Sequence, residues 1–156
     1  GRTAYHGQTF SRLTEEDCRA VDRALAETHT EAFAERQVKE LSGGQMQRVW
    51  LALALAQTHE VLLLDEITTY LDVYYQYEIL DLIKKLNADC GTTVLMVLHD
   101  IDQTIRYADK IALMKEGKIL AAGGADEVIT SETLRRTYGV RAEIARVRDR
   151  KICIFE

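Results

Sequence analysis

At 156 residues and 47% hydrophobic composition, the chain has the size of a single domain and enough apolar material to fill a packed core. Its longest unbroken apolar run, VWLALALA at 49–56, falls far short of the roughly 18 residues a membrane helix needs, which excludes a helical span in this sequence. The net charge of −5 is unevenly spread, with seven basic residues against two acidic ones from Arg135 to Lys151; a solvated face on a terminal hairpin explains that run better than a nucleic-acid or lipid surface.

The opening GRTAYHGQTFSRL has no sustained period and reads as loop, and without a basic, apolar and small-residue prefix the chain is expected not to be exported. Thr14 followed by Asp17 is a cap signal, and Ala20, Val21, Ala24 and Leu25 recur at helical spacing, predicting a helix over 15–28. A second short helix is predicted around 30–36.

The stretch LSGGQMQR at 41–48 follows. Ser42 and Gln45 occupy the N-cap and N3 positions of a capping box, with Leu41 and Met46 placed for a hydrophobic staple. Gly43 and Gly44, at the first two helical positions, each cost up to about 1 kcal/mol of helix propensity relative to Ala. In return they leave backbone N–H groups unshielded, so that a negatively charged group can approach the positive end of the helix. The alternative is a merely permissive turn.

Val61 to Leu64 is aliphatic throughout, as expected of a central strand covered on both faces, and TTVLMVL at 92–98 reads the same way. Between them Tyr75, Ile79, Leu82, Ile83 and Leu86 mark one face of a helix ending near Gly91. Strand, helix, strand implies a parallel pair. A helix is predicted at 101–108, then a hairpin over KIALMKEGKILAAGG turning at Lys115 to Gly117, so the sheet is expected to be mixed. Ser131 opens a further helix ending at Gly139, and RAEIARVRDRKICIF predicts a last hairpin around Asp149. Cys18, Cys90 and Cys153 show no metal-ligand spacing and are expected to be small buried hydrophobes.

Open α/β sheets gather ligands at the carboxyl ends of their parallel strands. One strand here runs out into Asp65 and Glu66, the other into His99 and Asp100. Singly, an acid just after a strand is as readily a helix or turn cap; together, three acids and an imidazole on one edge point to a site.

With these residues in place, the sequence resembles the ATP-binding-cassette (ABC) ATPases. LSGGQMQR looks like their signature motif, VLLLDE and TTYLD like their Walker B and D-loop segments, and VLHD like the segment carrying their switch histidine, all in the family's order. Within the family, GRTAYH, TTYLDVYYQYEILDLI and LHDIDQTIRYADKIALMKEGKI look most like the ATPase subunits of importers for iron-siderophore and related metal chelates. The resemblance implies the C-terminal part of a P-loop NTPase domain of the α/β class. Residues 1–58 would be a helical-subdomain segment bearing the signature, and 59–156 the second half of the ATPase core with its C-terminal hairpins.

The resemblance also implies a mechanism. Two such domains meet head to tail as a homodimer and sandwich ATP, so Ser42, Gly43 and Gly44 would contact the γ-phosphate held by the partner, and Gln45 would lie near its ribose. Asp65 would hold Mg²⁺, largely through water, and Glu66 would polarise the attacking water as general base. His99 would contact the γ-phosphate, while Leu71 and Asp72 would form the D-loop at the dimer interface. Transmembrane permease subunits would be direct partners and a substrate-binding protein an indirect one, at the cytoplasmic face of the membrane; no nucleic-acid partner is implied.

Two departures limit this carry-over. Ile67 stands where the family usually has proline, which removes a fixed φ and should soften the loop. No G-x-x-x-x-G-K-[ST] phosphate loop occurs in the 156 residues, the only Gly-Lys pair being Gly117-Lys118. The chain alone is therefore expected to bind ATP poorly and to hydrolyse almost none. Rival readings are a non-transport ABC ATPase, of the split chromosome-maintenance type or the soluble translation type, and a non-hydrolysing interaction module. Residues 1–40 lack the sustained heptads of the first, and the intact Asp65, Glu66 and His99 argue against the last.

Overall fold

The computed structural model describes residues 14–57, 60–148 and 150–156. The expected N-terminal loop and the turn residue Asp149 lie outside them. The chain divides into two compact units that part between Val97 and Leu98.

In the first unit, α1 (Glu15–Glu27) starts at a full capping box: the Thr14 hydroxyl accepts the Asp17 N–H at 3.2 Å, and the Asp17 carboxylate accepts the Thr14 N–H at 2.8 Å. Its buried stripe includes Ala20 and Ala24, the periodicity that predicts it. The helix expected around 30–36 is a single 3₁₀ turn, Glu31–Phe33, after which a second such turn, Val38–Glu40, leads into α2 (Gly43–Leu55). Thr28 and Thr30, both fully buried, share a hydrogen bond of 2.8 Å at the end of α1.

Strand β1 (Val61–Leu64), helix α3 (Val73–Cys90) and strand β2 (Thr93–Met96) follow. Gly91 ends α3 in the left-handed conformation, φ 67°, where glycine carries no Cβ penalty. The strands pair in parallel from Val61↔Thr93 to Leu64↔Met96, as a helical crossover requires. Leu51, Leu55, Leu62, Ile79, Leu80 and Ile83 are buried in this unit.

The expectation that β1 is covered on both faces does not hold for this unit. Leu62 is 2% exposed but Leu63 is 70% exposed, and on β2 Leu95 is 66% exposed. Successive strand residues point to opposite faces, so one face of the pair is covered and its aliphatic opposite face is left open.

The second unit holds α4 (Ile101–Tyr107), the hairpin β3 (Ile111–Lys115) and β4 (Lys118–Gly123), the short helices α5 (Ala125–Val128) and α6 (Ser131–Tyr138), and the hairpin β5 (Ala142–Val147) and β6 (Arg150–Phe155). The β3–β4 loop is Glu116-Gly117, both at positive φ (49° and 74°), the geometry of a type I′ turn that matches strand twist. Among the described residues each strand pairs with one neighbour, giving three two-stranded sheets rather than one mixed sheet. The short β3–β4 turn pairs its two strands locally and leaves the outer edge of each without a strand partner among the described residues. Ile111, Leu113, Val128, Ile129, Leu134 and Ala142 form the core of this unit.

Lys151 anchors α5 to the last hairpin. Its ammonium donates to the carbonyls of Ala125, Asp126 and Ile129 at 3.2, 3.2 and 2.9 Å, a cation placed at the carbonyl end of the helix. The Asp126 carboxylate accepts from Arg146 at 2.7 Å and lies 3.3 Å from Lys151. The Lys151 hydrogen bond, then the Arg146 charge, hold the Asp126 carboxyl below its ordinary value. A lowered folded-state value means stability that is present above the unfolded value and lost as pH falls through the folded one. Thermal unfolding of the wild type and of Asp126→Asn should therefore differ at neutral pH and converge as pH drops below about 4; the gap should be small, because the site is exposed and solvent screens it.

The cysteines depart from expectation: Cys18 and Cys90 are exposed and only Cys153 is partly buried. Burial, then the nearby Asp102 charge, push the Cys153 thiol up, away from the thiolate form that gives reactivity.

Candidate functional site

The start of α2 is built as its sequence predicts. Ser42 Oγ accepts the Gln45 N–H at 3.4 Å and Gln45 Oε1 accepts the Ser42 N–H at 3.1 Å, a closed capping box. The Met46 N–H already bonds the Ser42 carbonyl at 2.8 Å, so within the helix only the first-turn N–H groups of Gly43 and Gly44 lack an acceptor.

The two glycines are not equivalent. Gly43 is exposed, and a Cβ there would meet Leu71 Cδ2 at an ordinary 3.8 Å. Gly44 is buried, and a Cβ there would stand 2.9 Å from Tyr75 Cδ1 and 3.1 Å from Cγ. The second glycine therefore has a packing reason in addition to any ligand: the Tyr75 ring lies against its Cα. One turn on, Arg48 approaches Glu78 at 3.6 Å, both side chains largely shielded.

Beyond β1, Asp65 and Glu66 are both exposed. Glu66 adopts φ 51°, uncommon for a residue with a side chain. Its turn is closed by the Thr69 N–H donating to the Glu66 carbonyl at 3.0 Å, and the Thr69 hydroxyl donates to Glu66 Oε2 at 3.3 Å. Ile67 is 6% exposed, so its side chain anchors a loop that loss of proline was expected to soften. Downstream, the Leu71 carbonyl accepts from Gln76 Nε2 at 3.0 Å, and Asp72 is the N-cap of α3 by position while its exposed side chain makes no cap bond.

The two strand ends share one edge, since the Val97 N–H continues the ladder to the Leu64 carbonyl at 2.9 Å. His99 and Asp100 belong to the second unit, where His99 is exposed and Asp100 is a working cap, its carboxylate accepting the Gln103 N–H at 2.7 Å. The cap reading of an acid after a strand thus applies to Asp100. Among the described residues no group of three or more His, Cys, Asp and Glu stands ready to hold a metal ion. The periodicity of the sequence places Tyr75 on the apolar face of its helix but does not link it to Gly44, and it reveals neither the role of Gln76 nor the Arg48–Glu78 pair; the Gly44–Tyr75 approach joins residues far apart in sequence and leaves no local periodic trace.

The ABC transporter family model matches residues 3–69. The iron(3+)-hydroxamate import ATP-binding protein FhuC of Bacillus subtilis is 47% identical over 139 residues, which are 89% of this chain and 52% of that protein. The chain belongs to the ABC transporter ATP-binding family. Ferric enterobactin transport ATP-binding protein FepC of Escherichia coli is 43% identical over 139 residues, covering 89% of this chain and 51% of its own. Among solved structures, a transporter described as of metal-chelate ABC type, in an inward-facing conformation, superposes with a TM-score of 0.82 at 26% identity, over 99% of this chain and 62% of that one. The ABC chain spans about half the length of the curated relatives it matches. Its parallel strand pair with helical crossover belongs to the α/β architecture of an ABC ATPase domain, of which the chain is a C-terminal portion, as expected. No helix among the described residues is long and apolar enough to cross a membrane.

Proposed function

We propose that this chain supplies the signature-bearing and Walker B portion of an ATPase subunit that drives import of iron-siderophore or similar metal chelates. The observation that carries the reading is the start of α2, where a closed capping box leaves the first-turn N–H groups as the free donors beside an exposed Gly43. Oriented N–H groups at a helix start suit a phosphate. The iron(3+)-hydroxamate and ferric enterobactin named for FhuC and FepC support the choice of solute class.

In this reading Ser42, Gly43 and Gly44 donate to the γ-phosphate of ATP held by a second subunit, and Gln45 lies near its ribose. Glu66 accepts the proton of the attacking water, His99 steadies the γ-phosphate, and Leu71 with Asp72 meets the partner across the head-to-tail interface. The exposed Asp65 fits Mg²⁺, a hard cation that commonly keeps waters and takes one or two carboxylates beside phosphate oxygens. When bound, the ion neutralises charge on the phosphates. Permease subunits are the direct partners, a substrate-binding protein the indirect one, and the cytoplasmic membrane face the site of action.

The test is reconstitution. The chain alone should show no ATP turnover above background, whereas a fusion carrying the phosphate-loop half of FhuC ahead of it should hydrolyse ATP with Mg²⁺ and restore growth on hydroxamate iron to B. subtilis lacking FhuC. Glu66-dependent hydrolysis by the chain alone, or a fusion that folds but never turns over, would overturn the reading.

A further inference from the structure

Between α2 and the segment 71–78 the structure builds three successive contacts. Leu71 Cδ2 stands 3.8 Å from where a Cβ on Gly43 would lie, the Tyr75 ring 2.9 Å from where one on Gly44 would lie, and Arg48 approaches Glu78 at 3.6 Å. Gln76 adds a fourth tie, since its amide holds the Leu71 carbonyl at 3.0 Å. The ring of Tyr74 stands edge-on to that of Tyr75, with centroids 5.2 Å apart and planes at 82°, an arrangement aromatic pairs favour and one that fixes the tilt of the second ring.

We infer that Tyr75 is a positioning residue: its ring, filling the space a Cβ on Gly44 would need, locks the first turn of α2 to the first turn of α3, so that the signature start and the D-loop carrying Leu71 and Asp72 move as one body. Only glycine at 44 admits this approach, because any Cβ would enter the ring. The consequence is mechanical. A group docking on the N–H groups of Gly43 and Gly44 bears on Leu71 and Asp72 through the ring rather than through the chain between residues 45 and 70. The functional part of this rests on the reading of the α2 start as the face that completes a partner's nucleotide site.

Amide exchange on the full chain without nucleotide tests the lock apart from that reading. In Tyr75→Ala the Gln45 and Met46 amides should exchange about tenfold faster, an opening of the helix start alone, while α1 amides stay unchanged. Tyr75→Phe, which keeps the ring, should match the wild type. Rates at Gln45 and Met46 within twofold of the wild type in Tyr75→Ala, or acceleration in Tyr75→Phe equal to that in Tyr75→Ala, would overturn the lock. In the FhuC fusion, Tyr75→Ala should lower kcat about tenfold with KM held and Tyr75→Phe should restore it; an unchanged kcat in a fusion that turns over would overturn the coupling. A folded fusion without turnover would count against the nucleotide reading, and exchange would still decide the lock.

Discussion

Replacing Glu66 with Gln in the ATP-hydrolysing fusion should lower kcat by about 10²–10⁴-fold and leave KM nearly unchanged, the range a positioned general base contributes. The substitution is selective for a physical reason. Glu66 Oε2 accepts a hydrogen bond from the Thr69 hydroxyl at 3.3 Å, and the amide oxygen of Gln can accept the same bond, so the side chain keeps its local tether. The backbone at φ 51° places the same demand on either residue. What disappears is the capacity to take a proton from water. Steady-state hydrolysis with a parallel nucleotide-binding titration checks this; a fall of less than about fivefold in kcat would remove Glu66 from the role of base.

The two signature glycines should respond in opposite ways to alanine. Gly44→Ala should destabilise the chain by about 1–3 kcal/mol, the usual cost of overpacking, because its Cβ would stand 2.9 Å from Tyr75 Cδ1 and the ring must move. Gly43→Ala meets only an ordinary contact with Leu71 at 3.8 Å and gains helix propensity of up to about 1 kcal/mol. Yet in the fusion Gly43→Ala should still impair turnover, since its methyl group shields the N–H groups an anion must approach. Urea unfolding of both variants beside fusion kinetics separates the effects. Equal destabilisation by the two substitutions would mean that the ring does not discriminate between them.

The comparison of sequence with structure divides along the range of the interactions. The capping boxes at Thr14/Asp17 and Ser42/Gln45 and the left-handed ends at Gly91 and Gly139 are carried by residues within one turn of each other, and each appears where the sequence puts it. The helix α5 does not announce itself, because at four residues it has no room for a periodic stripe; it is held instead by Lys151, more than twenty residues downstream. The exposure of Leu63 was equally unreadable, since an all-aliphatic strand says that both faces are apolar and not which of them is covered. Of the candidate site, the identities and order of Ser42, Asp65, Glu66, Asp72 and His99 were legible from motifs. That Gly44 lies under Tyr75 was not, because no rule of spacing links residues from two different helices.

Ile67 leaves one more trace. A residue preceding proline is driven toward extended backbone, whereas Glu66 here sits at φ 51°, so a proline at 67 would disfavour the backbone this loop now holds. Ile67→Pro should therefore not be neutral, since it would also remove a side chain that is only 6% exposed. Substitutions at 66 and 67 should therefore not be additive, because the backbone that carries the carboxylate depends on the residue that follows it.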